Sequence, residues 1–186
     1  MVTHHDFIDE RTMIFTPLNE ANTKTFKMRN YVHLHRCITT RFNNKTWQEN
    51  VRYRANNHLP CIYPVPFAIK INKELPPDET LYVIEMNNDT NKIEGVGVIK
   101  NHQDYKKHCV YSVPHLNRYC YVGNKYYPRS QINPTWLSEM ETRCFKGKGH
   151  LKRGQGFTRL PIKSNAMQNV DFLCFSTSTE TIDASF

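Results

Sequence analysis

The sequence predicts an α+β protein: a small, strongly bent antiparallel β-sheet or barrel flanked by two or three helices. Three observations predict it. Residues 81–99 read as a β-hairpin around an Asn/Asp-rich turn, with Gly95 and Gly97 in the return strand. Residues 133–147 read as a helix with both ends marked. Between and around them lie short β-branched and aromatic runs punctuated by Pro and Gly, and sharply bent short strands suit small closed barrels.

At 186 residues the chain suits one domain with appendages. We divide it into an N-terminal arm (1–22), one globular domain (23–163) and a partly disordered C-terminal tail (164–186). A mean hydropathy of −0.65 requires a compact core under a largely polar surface. The six cysteines are scattered without a C-x-x-C pair, so they read as reduced thiols with no zinc framework. No signal-peptide pattern and no apolar run of membrane-spanning length is present. Neither a cofactor nor a metal is expected.

In chain order, Met13–Phe15 reads as a short strand or apolar clip. Residues 31–35 alternate, and the β-branched residues that follow support a strand. Asn44 is a plausible N-cap for a helix to about Asn56, with Trp47, Val51 and Ala55 as its buried stripe. Pro60, Pro64 and Pro66 break regular structure, and residues 66–71 form a short strand opened by Pro66. Gly95 and Gly97 predict a bulge, a bend or a close approach by another backbone. Further strands fall at 110–112 and 118–122, followed by a turn at Gly123-Asn124 and a return at 125–127. Asn133 caps the second helix, Pro134 opens it, and Trp136, Leu137, Met140 and Cys144 form its apolar face. Arg143 and Lys146 suit its C-terminus, where Gly147 ends it. Residues 172–175 read as a short strand docking on the body.

That helix launches the most informative segment, RCFKGKGHLKRGQGFTRLPIK at 143–163, which holds four of the seven glycines and no acidic residue. Exposed positive charge on a glycine-freed backbone is what a polyanion binds; the competing reading is a solvated basic loop. The net charge of +8 and pI near 9.2 favour acidic partners. A second basic block spans 24–54, and the two blocks form either two walls of one groove or opposite sides of the molecule. Lys146, Lys148, Lys152, Arg153 and Arg159 are the candidate phosphate contacts, with Arg52 and Arg54 as second contacts. Tyr119 and Tyr121 are candidate stacking rings, although two tyrosines at i, i+2 on a strand share a face and suit a core equally.

Other constellations carry less. His33 and His35 point the same way on a strand as a metal pair does, yet no patterned third ligand is present. Glu85, Asp89 and Glu94 sit on or beside the hairpin, which raises a metal-dependent nucleic-acid-processing enzyme. Carboxylates at a hairpin turn more often serve the turn itself. Walker, nucleophile-elbow and dinucleotide signatures are missing, and no catalytic residue is assigned.

The strings IEMNNDTNKIEGVGVIKN, NRYCYVG and CFKGKGHLKRGQG, within 66–163, resemble a protein group of large double-stranded DNA viruses over about half the chain. The hairpin with IEGVGVI at 93–99 is similar to that of PUA-like folds (PUA, ASCH, EVE and YTH domains), small bent barrels that bind RNA or modified bases. For an aromatic cage of the EVE or YTH kind, Trp47 and Trp136 are the aromatic candidates, and no site residue is carried over. These resemblances imply a viral protein in the host cytoplasm (the virus factory), the host nucleus or the virion. The expectation is therefore a non-enzymatic DNA- or RNA-binding protein with viral proteins as further partners and no membrane. A virion or scaffold protein binding an acidic partner is the alternative.

Overall fold

The computed structural model describes residues 36–70 and 75–160, together with two short strands, β1 (Val32–His33) and β8 (Asn169–Val170), which pair with each other. The remaining elements are β2 (Cys37–Phe42), α1 (Asn44–Asn56), β3 (Cys61–Val65), β4 (Thr80–Asn87), β5 (Lys92–Lys100), β6 (Tyr119–Pro128), α2 (Pro134–Phe145) and β7 (Thr158–Arg159). The arm clip at 13–15, His35 and the segment 172–175 lie outside the described residues, as do the side chain of His33 and Cys174.

Six strands form one curled, half-barrel sheet in the order β3-β6-β5-β4-β2-β7. Every neighbouring pair is antiparallel except β2 and β4, which run parallel from Cys37 opposite Tyr82 to Phe42 opposite Asn87. The helix α1 and edge strand β3 supply the long crossover that a parallel pair requires. The expected α+β class with a small bent sheet and flanking helices is thus observed.

Strong local signals place α2. Asn133 accepts from the amides of Thr135 and Trp136, Pro134 occupies the first turn, and Trp136, Leu137, Met140, Cys144 and Phe145 are buried. This face packs on one side of the sheet against Ile84, Met86, Ile93 and Val96. Each such side chain, when fully buried, contributes about 1.5–3 kcal/mol. The other side of the sheet carries a second cluster built on Ile38, Tyr63, Leu81, Val83, Ile99 and Tyr121.

Several expectations need correction. The cap of α1 is Asn43, whose side chain accepts from the Thr46 amide while Thr46 Oγ1 accepts from the Asn43 amide, a reciprocal capping box. Its buried residues are Asn50 and Arg54, whereas Val51 and Ala55 are exposed and Trp47 is half-buried. The helix is turned so that polar side chains reach inward: Asn50 donates to the Ile62 carbonyl (2.8 Å) and to Tyr111 Oη (3.2 Å). Strand β3 lies at 61–65 rather than 66–71, and it runs through Pro64 because it is an edge strand, where a missing amide donor is tolerated. Residues 110–112 are buried or bent but form no strand. No turn interrupts β6 at Gly123-Asn124; the strand continues past an irregularity opposite Val98 and Ile99.

The hairpin glycines serve close approach, by side chains rather than by another backbone. A Cβ at Gly97 would lie 2.0 Å from Tyr63 Oη, and one at Gly95 would lie 2.3 Å from Tyr126 Oη. A bulge is present as well: Glu85 faces Gly95 while Met86 faces Ile93, leaving Glu94 as the extra residue.

Candidate nucleic-acid interface

The basic loop begins where α2 ends. Lys146, Gly147, Lys148 and Gly149 are exposed, and Gly147 adopts φ +76°, a conformation that disfavours any side chain. The chain then turns back, with the Leu151 amide donating to the Cys144 carbonyl at 2.8 Å. From there the loop is fastened, contrary to the freedom its glycines suggest. Arg41 on β2 donates to the carbonyls of Leu151 and Gly156 (2.8 Å for the latter) and to Thr158 Oγ1. Burial lowers the pKa of this guanidinium. Gly154 is needed because a Cβ there would sit 2.6 Å from Arg41 Nη2. Asn88 donates to the Lys152 carbonyl at 3.1 Å, and Lys152 Nζ donates to Asn91 Oδ1 at 2.7 Å. Five carbonyl and side-chain contacts therefore hold the loop against β2 and the β4–β5 turn.

Past Gly156 the loop crosses to the other face of the sheet. The Phe157 ring meets Tyr63 and Tyr121 edge-on, with centroids 6.2 and 5.4 Å away, before β7 pairs with β2. A Cβ at Gly156 would lie 3.7 Å from the Phe67 carbonyl and 3.9 Å from Val65 Cβ. The loop thus spans the gap between the two edge strands, β7 and β3, which no hydrogen-bond ladder closes.

The structure sorts the sequence-predicted site residues into three groups. Lys146, Lys148 and Arg153 are exposed on the loop, and Lys152 is half-buried with its ammonium at the surface beside Asn91. Arg52 is exposed on α1, while Arg159 is half-buried in β7. Arg54 and Tyr121 are turned inward. Tyr121 is 3% exposed, and its hydroxyl accepts from the Ile69 amide at 2.9 Å, so the ring is core. Tyr119, two residues earlier, is half-buried with the Arg118 guanidinium 5.4 Å over its ring.

Arg54 belongs to a buried polar cluster. Its Nη1 donates to Glu85 Oε1 at 3.1 Å, and Tyr63 Oη (2.7 Å) and Tyr126 Oη (3.0 Å) donate to the same carboxylate. Glu85 is 0% exposed. Burial raises its pKa, and Arg54 and the two hydroxyls oppose that rise. The guanidinium lies between the rings of Trp47 (5.2 Å) and Tyr126 (4.5 Å). Trp47 therefore covers a cation, and Trp136 is buried under α2; the two belong to separate clusters.

The three hairpin carboxylates are not brought together. Glu85 is held as above, Asp89 Oδ2 accepts from the Asn44 amide at 2.8 Å, and Glu94 accepts from Asn87 Nδ2 at 3.0 Å. Among the described residues no group of three or more His, Cys, Asp or Glu is placed to hold a metal ion.

One further feature escaped the sequence reading. The loop 101–109 carries Tyr105, 84% exposed, between His102 and the exposed Lys106 and Lys107. Its base is rigid. The Asp104 amide donates to the Cys120 carbonyl at 2.8 Å, and Asp104 Oδ1 accepts from the Lys106 amide at 2.9 Å. His108 bridges Asp104 Oδ2 and Tyr53 Oη, at 3.0 Å on each side. The Lys106 amide and then His108 hold the Asp104 carboxyl below its usual pKa. An aromatic residue followed by two lysines is the visible signal, in a segment without periodicity.

No family model, curated protein or solved structure matches the chain.

Proposed function

We propose that the protein binds nucleic acid without chemically altering it, through the basic loop. The observation that carries this reading is a run from Arg143 to Arg153 with no acidic residue, in which Lys152 and Arg153 stand on a backbone held by Arg41 and Asn88. Fixed cations meet phosphates without first losing chain entropy, which favours binding over a loop that must order. The viral setting, in the host cell or the virion, rests on the sequence resemblance. Among the described residues no helix is long and apolar enough to cross a membrane.

Fluorescence anisotropy across a salt series tests the reading. Replacing Lys152 and Arg153 with Ala removes two phosphate contacts and makes log K against log[salt] shallower by about 1.4–1.8. An unchanged slope takes the loop out of the interface. Tight binding to an acidic protein, without intrinsic nucleic-acid affinity, makes the charge a docking surface for a protein partner.

A further inference from the structure

Among the described residues three large apolar side chains are exposed: Val51 (41%), Phe67 (57%) and Tyr105 (84%). Two of these, Phe67 and Tyr105, lie at one end of the sheet. Val65, the last residue of β3, pairs with Tyr119, the first of β6, and Phe67 follows two residues later. The Asp104 amide bonds to Cys120, beside Tyr119, so Tyr105 stands next to the same corner.

Charge at this corner is complementary to an anion. Lys106, Lys107 and Arg118 are exposed, the carboxylate of Asp104 faces back into its own loop and His108, and the nearby exposed Asp78 is engaged by His102 at 3.2 Å. The ring of His102 lies 6.4 Å from Tyr105 at a near right angle, and the tyrosine remains 84% exposed. The basic loop reaches the same corner from the other side, since Gly156 packs beside Phe67. Gly156 carries the loop of Lys152 and Arg153 to Phe67, and Pro64 and Asp104 flank Cys120 on its two sides, which sets Tyr105 across β6 from the end of β3 and marks out a track.

We infer that the nucleic acid is single-stranded, that it follows this track, and that its bases stack on Phe67 and Tyr105 while Arg118, Lys106 and Lys107 meet its phosphates. A duplex hides its base faces in its own stack, so open rings beside cations select unpaired bases. The inference deepens the nucleic-acid reading above and rests on it.

The test compares short pyrimidine-rich single strands of DNA and RNA with their duplexes at fixed salt. The proteins compared are the wild type, Tyr105→Ala/Phe67→Ala, Tyr105→Ser, Tyr105→Phe and Lys152→Ala/Arg153→Ala. The wild type binds a single strand more tightly than its duplex. Loss of both rings weakens single-strand binding by about tenfold or more, the worth of one to two stacked bases, and leaves duplex binding and the salt slope unchanged. Tyr105→Phe keeps the ring and the affinity. Both side chains are exposed, so the variants melt as the wild type does; Tyr105→Ser alone, with a smaller loss in the same direction, guards against a fold defect in the double variant. Equal losses on both probes, or no loss on the single strand, overturn the inference while a shallower slope in the lysine–arginine variant preserves the general reading. Wild-type binding that is blind to probe and vanishes at physiological salt overturns both.

Discussion

Arg54 and Glu85 allow a sharp separation of structural from phosphate-binding charge. Each is the other's counter-ion in a buried site, with side chains 8% and 0% exposed. Removing one partner of such a pair typically costs about 3–5 kcal/mol, because the remaining charge is left unpaired away from water. Glu85→Gln and Arg54→Met should each reach that range. At roughly 2–4 °C per kcal/mol for a domain of this size, the melting temperature falls by about 6–20 °C. The double variant Arg54→Met/Glu85→Leu removes both charges and takes the carboxylate acceptor from the hydroxyls of Tyr63 and Tyr126, the latter keeping the Glu94 carbonyl at 3.4 Å, a cost of about 1–3 kcal/mol each at most. It should therefore be less unstable than the sum of the singles by several kcal/mol, measured by urea denaturation.

The two single variants also differ in their response to pH. Burial holds the folded-state pKa of Glu85 above its ordinary value, with Arg54 the leading opposing influence. In Arg54→Met that opposition is gone and the folded pKa rises further. A raised carboxyl pKa means the folded state binds the proton more tightly than the unfolded one. Stability is then greatest below the unfolded value and declines as pH rises through the folded one. Arg54→Met should recover stability as pH is lowered toward the ordinary carboxyl range, whereas Glu85→Gln has no such carboxyl to protonate and should not. Single-variant losses below about 1 kcal/mol, or a double variant equal to the sum, would refute the pairing argument. A salt slope for nucleic-acid binding that becomes shallower in Arg54→Met, measured below its melting temperature, would return Arg54 to the interface.

Two further outcomes are expected. Arg41→Met should accelerate amide hydrogen exchange across 151–158 and weaken nucleic-acid binding without changing the salt slope, since Arg41 serves backbone carbonyls; protection left intact would refute its role as the loop's fastening. Gly123→Ala should cost about 1–3 kcal/mol or more in urea denaturation, because its Cβ would lie 2.1 Å from the Val98 carbonyl oxygen, while Gly149→Ala, with nothing within 4 Å, should stay within about 0.5 kcal/mol of wild type.

How much was legible in the sequence depended on the range of the interactions. Cap, Pro at the first turn and apolar period all agree over a dozen residues in α2, and the hairpin carries its turn residues between β-branched flanks, so both are legible locally. The orientation of α1 was not legible. Its Trp47, Val51, Ala55 spacing is a good apolar stripe, but Asn50 is buried on Ile62 and Tyr111, and Arg54 on Glu85, 31 residues away on a strand. At Gly123-Asn124 the same residue types that make turns also relieve a strand irregularity, so one long strand reads as two. The basic loop's exposure was readable from composition. Its rigidity was not, because the fastening residue Arg41 lies 110 residues upstream of Leu151.

These assignments also limit what the net charge of +8 means. Arg41 and Arg54 are committed to carbonyls and to Glu85, so neither is free to release counterions from a phosphate backbone. The loop itself offers Lys146, Lys148, Lys152 and Arg153. Four contacts to a single strand, at about 0.7 each, give a salt slope of magnitude about 3. If the strand continues past Phe67 to the Tyr105 corner, Lys106, Lys107 and Arg118 add up to about two more. A slope near 3 that is insensitive to the length of the strand confines binding to the loop. One that climbs toward 5 as the strand lengthens requires both ends of the track to be occupied at once, which only a chain bridging the seam between β7 and β3 accomplishes.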